Sequence, residues 1–180
     1  HVPGRTVPVE RLEAVLAGAR ARGLDWFTYD DLADGVAAAP GVALSFDDAA
    51  IDEWWSLVPL LDAHGARVTF FIAYYETFSA EQRQRLRDLA ARGHAVAAHS
   101  VRHLRAPDYA ERHGLAAYVA DEVRPGVDAL RADGHAPRVF AYPYGARTSE
   151  LDRYLLEDFA LVRSISFSRD PLVVVDPCPE

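Results

Sequence analysis

Apolar positions along the chain alternate between two periods. Leu12, Val15, Leu16 and Ala19 fall at helical spacing between Val9 and Leu24, with Gly23 placed to end that helix. Phe27 to Leu32 reads as a short extended piece and a turn of helix, and Gly35 to Gly41 as a small-residue loop holding Pro40. From Val42 onward the pattern becomes strand, helix, strand. Val42 to Phe46 is a short apolar run that predicts a buried strand. Ile51 to His64 is amphipathic, with Trp54, Leu57, Val58 and Leu61 on one face and Gly65 behind it. Arg67 to Ala73 is rich in β-branched and aromatic residues and predicts a strand. Ser79 to Arg92 predicts a helix with Ser79 as N-cap, and Ala95 to Ala98 a short strand. Leu115 to Arg131 is helical in pattern, although Pro125 should kink or split it. Arg138 to Tyr142, Phe159 to Ile165 and Leu172 to Val175 predict strands, with a helix over Ser149 to Asp158. Strands alternating with helices of about 10–15 residues predict a parallel β/α architecture, either an open sheet or a barrel.

Composition narrows this picture. The 180 residues fit one domain, and 50% of them are apolar, enough for a real core. A net charge of −8 argues against a nucleic-acid surface, which needs clustered cations. The single cysteine, Cys178, excludes an internal disulfide framework and a cysteine-rich zinc site. No apolar run approaches the ~20 residues that span a bilayer, and no signal-peptide pattern is visible. The sequence contains no methionine, so the chain is expected to be processed or part of a longer product, and the compartment stays open.

Three clusters fall where predicted strands end. Asp47-Asp48 follow Phe46, His99 to His103 follow Ala98, and Tyr142-Pro143-Tyr144-Gly145 follow Ala141. The C-terminal edge of parallel strands is where β/α folds build their sites. Adjacent carboxylates need a cation or solvent; alternatively they complement a helix N-terminus. If their segment is helical, His99 and His103 share one face and can bind one metal; otherwise they are two solvated or hydrogen-bonded histidines. Two histidines with one aspartate from another strand form a ligand set that leaves positions open for water and substrate. The other aspartate would then act as a base toward an activated water. The Pro-Tyr-Gly turn could aim a backbone N–H at a developing oxyanion, or be a tight bend and no more.

The segments SFDD (Ser45 to Asp48), HSVRH (His99 to His103) and FAYPYG (Phe140 to Gly145), in this order, resemble the polysaccharide deacetylase family, the NodB-homology domain of carbohydrate esterase family 4. The resemblance runs from about Pro40 to about Ile165. It implies an α/β fold, a distorted (β/α) barrel, whole or incomplete, with mostly parallel strands. It implies Asp47 as general base and Asp48, His99 and His103 as ligands of one divalent metal, zinc first, with nickel, cobalt or iron as alternatives. Ser100 would brace the histidine loop, Tyr144 would bind acetate and, through its backbone, the oxyanion, and Pro143 would contact substrate. The implied reaction is hydrolytic removal of acetyl groups from an N-acetylated or O-acetylated saccharide by a metal-activated water. Two alternatives stay open: a catalytically impaired carbohydrate-binding module, and a metal-dependent hydrolase of a non-carbohydrate amide or ester. Family analogy alone points to the cell envelope or an extracytoplasmic location.

The chain departs from the family pattern in three places. Ala49 follows the aspartate pair where many members have glycine. Ala141 stands where many members have the arginine that holds the base; a subset reads as this chain does. Arg163 is a candidate partner for Asp47 in its place, against a surface cation at a strand end as the favoured alternative. The family's late-strand histidine, its general acid, is not met in this sequence, where no histidine follows His135: either the chain stops short of it or the protein lacks it. An open barrel edge would need another covering element or chain, which makes an oligomer conceivable. Tyr74 and Tyr75, after the Arg67 to Ala73 strand, are candidates to line the substrate site, and Trp54 and Trp55 are expected in the core. His64, His94, His113 and His135 are expected at the surface or in solvated loops, and His1, Asp170 and Asp176 have no assigned role.

Overall fold

A computed structural model describes residues 7–36 and 39–165 of the chain. The expected strand Leu172 to Val175, together with His1, Asp170, Asp176 and Cys178, lies outside the described residues. Helix α1 (Val9–Ala21) buries Leu12, Leu16 and Ala19 and leads into strand β1 (Asp25–Trp26). Helix α2 (Tyr29–Ala33) opens with a capping box. Thr28 Oγ accepts the Asp31 N–H, and the Asp31 carboxylate accepts the Thr28 N–H in return. Strand β2 (Gly41–Val42) pairs parallel with β1.

The main sheet follows. Strand β3 (Leu44–Asp48), helices α3 (Ile51–Ser56) and α4 (Val58–Ala63), strand β4 (Val68–Ile72), helix α5 (Ala80–Ala91) and strand β5 (Ala95–Ala98) form its first half. Helices α6 (Ala106–His113), α7 (Leu115–Tyr118) and α8 (Arg124–Ala132), strand β6 (Val139–Ala141), helix α9 (Ser149–Leu155) and strand β7 (Leu161–Arg163) form its second. The five strands lie in the order β3-β4-β5-β6-β7, all parallel, and curl into a half-barrel, the incomplete (β/α) barrel expected. No helix among the described residues is long and apolar enough to cross a membrane.

Strand residues point alternately to the two faces of the sheet, and each face has its own core. Val68, Phe70, Ile72 and Val96 point outward against Leu12, Leu16, Trp54, Leu61, Leu86 and Leu89. Ala98 and Phe140 point outward against Tyr118, Val123, Val127, Leu151 and Leu155. Phe70 is fully buried, so Phe70→Ala would cost about 3–5 kcal/mol. Phe71, Ala97, Val139 and Ala141 point into the concave face, where Tyr29 and Ala33 of α2 pack on them. Two contacts fasten α2 there: the Tyr29 N–H donates to Thr69 Oγ at 2.8 Å, and Arg138 makes two hydrogen bonds to Asp34, 2.9 and 2.7 Å. Helix α2 thus fills the hollow of the half-barrel from one end, leaving the C-terminal strand ends for the site.

Several expectations need correction. The helix expected over Ile51 to His64 is two helices that meet at Leu57. Pro59, in the first turn of α4, brings no N–H to continue the α3 ladder. Helix α6 was not anticipated; Pro107 lies in its first turn, where proline is suited, as it is not in a helix interior. The Leu115 to Arg131 helix is interrupted by a π-helical turn, Val119–Val123, just before Pro125. His94 and His135 are buried rather than solvated. The His94 Nδ1 accepts the Val68 N–H at 3.2 Å, its ring edge-on to Phe70. Trp54 is in the core, and Trp55 packs against it half-buried.

Candidate active site

Five non-glycine residues among the described ones adopt positive φ: Asp48 (88°), Tyr74 (54°), Ser100 (68°), His103 (56°) and Tyr144 (59°). Each such conformation costs on the order of 1–3 kcal/mol and persists only where its surroundings enforce it. All five lie at or just past the C-terminal ends of β3, β4, β5 and β6, so the strain is gathered at one edge of the sheet.

That edge brings three ligand-type side chains together. Asp48 Oδ1 lies 3.1 Å from His103 Nε2 and 3.7 Å from His99 Nε2, and the two Nε2 atoms are 3.1 Å apart. One donor atom from each residue falls within 4.8 Å of the others. Buried His99 places its Nδ1 2.8 Å from the Ala141 carbonyl. Nδ1 is therefore the protonated nitrogen, and Nε2 turns a bare lone pair toward Asp48 and His103. The histidines are not on a helix, as the spacing had suggested. They lie on a tight loop in which Ser100 Oγ accepts the His103 N–H at 3.0 Å, and left-handed Ser100 and His103 swing the second ring back over the first.

Burial holds both imidazoles below their ordinary pKa, against the pull of Asp47 and Asp48 upward. Neutral imidazole is the form that ligates metal. Two neutral imidazole nitrogens and one carboxylate oxygen, converging from two strand ends and partly open to solvent at Asp48, fit a divalent ion with open positions.

Asp47 and Arg163 lie on the concave face. Asp47 is in register with Phe71 and Arg163 with Ala141. Arg163 Nη2 donates to Asp47 Oδ2, and its guanidinium carbon sits 4.6 Å above the Phe71 ring. The surface-cation alternative for Arg163 is therefore overturned: its side chain is only 17% exposed and ion-paired. Asp47 Oδ1 is buried without a hydrogen-bond partner among the described residues.

Tyr144 and Tyr74 flank His103. The Tyr144 ring meets it edge-on at 4.6 Å and the Tyr74 ring lies tilted at 6.3 Å; both tyrosines are exposed. Burial, Tyr144 and Asp48 raise the Tyr74 hydroxyl above its ordinary pKa, so it stays protonated. Tyr75, expected beside Tyr74, does not line the site. It turns inward, 2% exposed, and donates its hydroxyl to Asp133 at 2.5 Å, because left-handed Tyr74 reverses the chain between them. Pro143 is buried beneath its turn. Sequence reasoning missed two contributors to the site: the Ala141 carbonyl that orients His99, and the concealed acid Glu122 behind the histidine loop.

No curated protein matches the chain in sequence. Among solved structures, IcaB from Ammonifex degensii superposes with a TM-score of 0.75 at 18% identity, over 94% of this chain and 88% of that one. The Streptococcus pyogenes deacetylase PplD, solved with acetate, gives 0.72 at 18% identity, over 89% and 77%. The BpsB deacetylase domain of Bordetella bronchiseptica gives 0.68 at 16% identity, over 97% and 84%. At such identities these structures share the fold. The sequence model of the polysaccharide deacetylase family matches residues 34–160, most of the chain and all three strand-end clusters. The chain therefore belongs to the polysaccharide deacetylase family, hydrolases that act on C–N bonds of acetylated carbohydrate.

Proposed function

We propose that this chain is a metal-dependent deacetylase of N-acetylated saccharides, with Asp47 as base and Asp48, His99 and His103 as the metal ligands. The observation that carries the reading is the convergence of three ligand atoms within 4.8 Å, beside a carboxylate with one buried oxygen free. A divalent ion held there would polarise the acetyl carbonyl and lower the pKa of a water toward ~7. Zinc suits the donor set; nickel, cobalt or iron also fit imidazole plus carboxylate.

The chain's own residues do the rest. Arg163 holds Asp47 Oδ2, which leaves Oδ1 as the acceptor for a proton from the attacking water. A buried acceptor without a donor is costly, and a water or substrate O–H in the site would satisfy it. Two hydrogen bonds, Gly145 N–H to Tyr142 and Ala146 N–H to Pro143, close the strained turn and do not use the Tyr144 amide. That amide is the candidate donor to the oxyanion. The exposed rings of Tyr74 and Tyr144 offer apolar faces with polar tips, suited to a sugar ring. By family analogy, the chain works outside the cytoplasm or at the cell envelope.

The test is acetate release from N-acetylated chito-oligosaccharides by metal-loaded protein, alongside O-acetyl, other amide and phosphoester probes. Acetate from the N-acetylated sugars, lost in Asp47→Asn, is the expected result. No release from any acetylated saccharide would refute the reading, and so would an Asp47→Asn variant as active as wild type.

A further inference from the structure

The loop that carries the histidines is gripped from behind. Glu122 lies in the π-helical turn Val119–Val123, and its side chain is completely buried. Glu122 Oε2 accepts the Arg102 backbone N–H at 3.0 Å, and Oε1 accepts from Arg102 Nε. Its main-chain carbonyl accepts the Val101 N–H at 2.8 Å. One residue therefore binds the two consecutive amides that separate Ser100 from His103.

The local helix is built to allow this. Pro125 brings no N–H to the ladder, and the Glu122 carbonyl is taken by the loop. A Cβ on Gly126 would stand 3.4 Å from Val101 Cγ2 and 3.9 Å from the Ser100 carbonyl, so the helix runs directly under the loop. π turns of this kind occur often at functional sites.

A carboxylate is an expensive choice for that position. Its helical neighbours Tyr118, Val119 and Val123 are core residues, and its counter-charge, Arg102, is half in solvent. The buried Tyr118 hydroxyl has no partner among the described residues and feels the Glu122 charge. Burying a charge there is costly, and its bonds to Arg102 are what compensate it.

We propose that Glu122 is a positioning residue for the metal ligands: it clamps Val101 and Arg102 so that Ser100 and His103 keep their left-handed turns and the His103 imidazole meets His99 and Asp48. The proposal rests on the metal-site reading above.

The test compares Co(II) affinity, the Co(II) absorption spectrum and thermal unfolding for wild type, Glu122→Met, Glu122→Gln and Arg102→Ala, together with loop amide exchange in metal-free protein. Glu122→Met leaves the Arg102 N–H without its acceptor and should unfold somewhat earlier than wild type; while still folded it should bind Co(II) about 10- to 100-fold more weakly and with an altered spectrum. Exchange at Val101, Arg102 and His103 should accelerate. Glu122→Gln keeps an acceptor for the Arg102 amide and should restore most of the affinity. Arg102→Ala removes the counter-charge of Glu122 but keeps the Arg102 backbone amide that Glu122 holds, and should weaken binding by less than about tenfold. Unchanged cobalt affinity and spectrum in Glu122→Met would overturn the proposal. A loss of affinity that only tracks lost thermal stability would do the same. If wild type itself binds no cobalt, the metal-site reading fails; loop exchange then decides whether Glu122 holds the loop, faster exchange supporting the clamp and unchanged exchange overturning it.

Discussion

Arg163, on the last strand of the sheet, reaches across the concave face to Asp47 on the first, with its guanidinium over the Phe71 ring between them. The two edge strands share no backbone hydrogen bonds, so this ion pair is a side-chain closure of the half-barrel at the height of the site. The position that carries the base-holding arginine in many family members is Ala141 here, and Arg163 is its partner in register on the neighbouring strand. The cation is thus supplied from one strand further along.

Arg163→Ala should release Asp47 and lower kcat for acetate release about 10²-fold, with little change in KM, since a misplaced base costs rate rather than binding. Asp47→Asn should cost about 10²–10⁴-fold. Steady-state kinetics on both variants checks this; an Arg163→Ala enzyme with wild-type kcat would show that the pair is structural only.

Adjacent tyrosines should separate cleanly. Tyr74→Ala removes an exposed ring beside His103 and should raise KM for a saccharide about tenfold, an anchor contact being worth about 1 kcal/mol or more. Tyr75→Phe removes the hydroxyl bonded to Asp133, and should cost about 1–3 kcal/mol of stability while leaving kinetics unchanged. Saccharide kinetics and urea unfolding on the two variants read these effects; a reversed pattern would move the substrate face to the other side of the strand.

Gly145 has φ +63°, and a Cβ there would meet the Ile165 backbone nitrogen at 2.6 Å. Because backbone cannot swing aside as a side chain does, Gly145→Ala should displace the Pro-Tyr-Gly turn. Activity should fall more than stability, and the His103 ring resonance, which the Tyr144 ring shields from 4.6 Å, should shift. An unshifted resonance with full activity would show that the turn tolerates the change.

The strand-end clusters were legible because each combines a strand signal with residue types that are costly without a partner. Strands β4 and β5 were legible because β-branched, aromatic and small apolar residues run unbroken there. The break at Pro59 was also written in the sequence, but an amphipathic stripe overrides a proline when periodicity alone is counted, and the first-turn proline of α6, Pro107, was passed over. Other features depend on distant residues. Arg163 looks like a surface cation until the sheet curls and brings β7 to face β3. Tyr75 shares the composition of Tyr74 and differs only because left-handed Tyr74 turns the chain. Glu122 sits at a helical position whose partner is a loop 20 residues earlier, and spacing carries no trace of it.

Burial lowers the pKa of His94 and of His135 below the ordinary value of 6.5, and Nδ1 of His94 must stay unprotonated to accept the Val68 N–H. As pH falls, the unfolded chain takes up these protons before the native state does. Stability is therefore full above about pH 6.5 and declines as pH drops through and below it. Urea midpoints at pH 7.5 and 5.5 should show the loss. His94→Asn, whose amide oxygen can replace Nδ1 as acceptor, should lose less; an equal loss would place the effect elsewhere.

Deacetylation by this chain requires Asp48, His99 and His103 to form one metal site. Elemental analysis of purified protein measures that directly, with wild type set against a His99→Ala/His103→Ala variant after both are exposed to zinc and desalted. About one equivalent in wild type and none in the variant is the predicted result. A wild type that holds no more metal than the variant would contradict it.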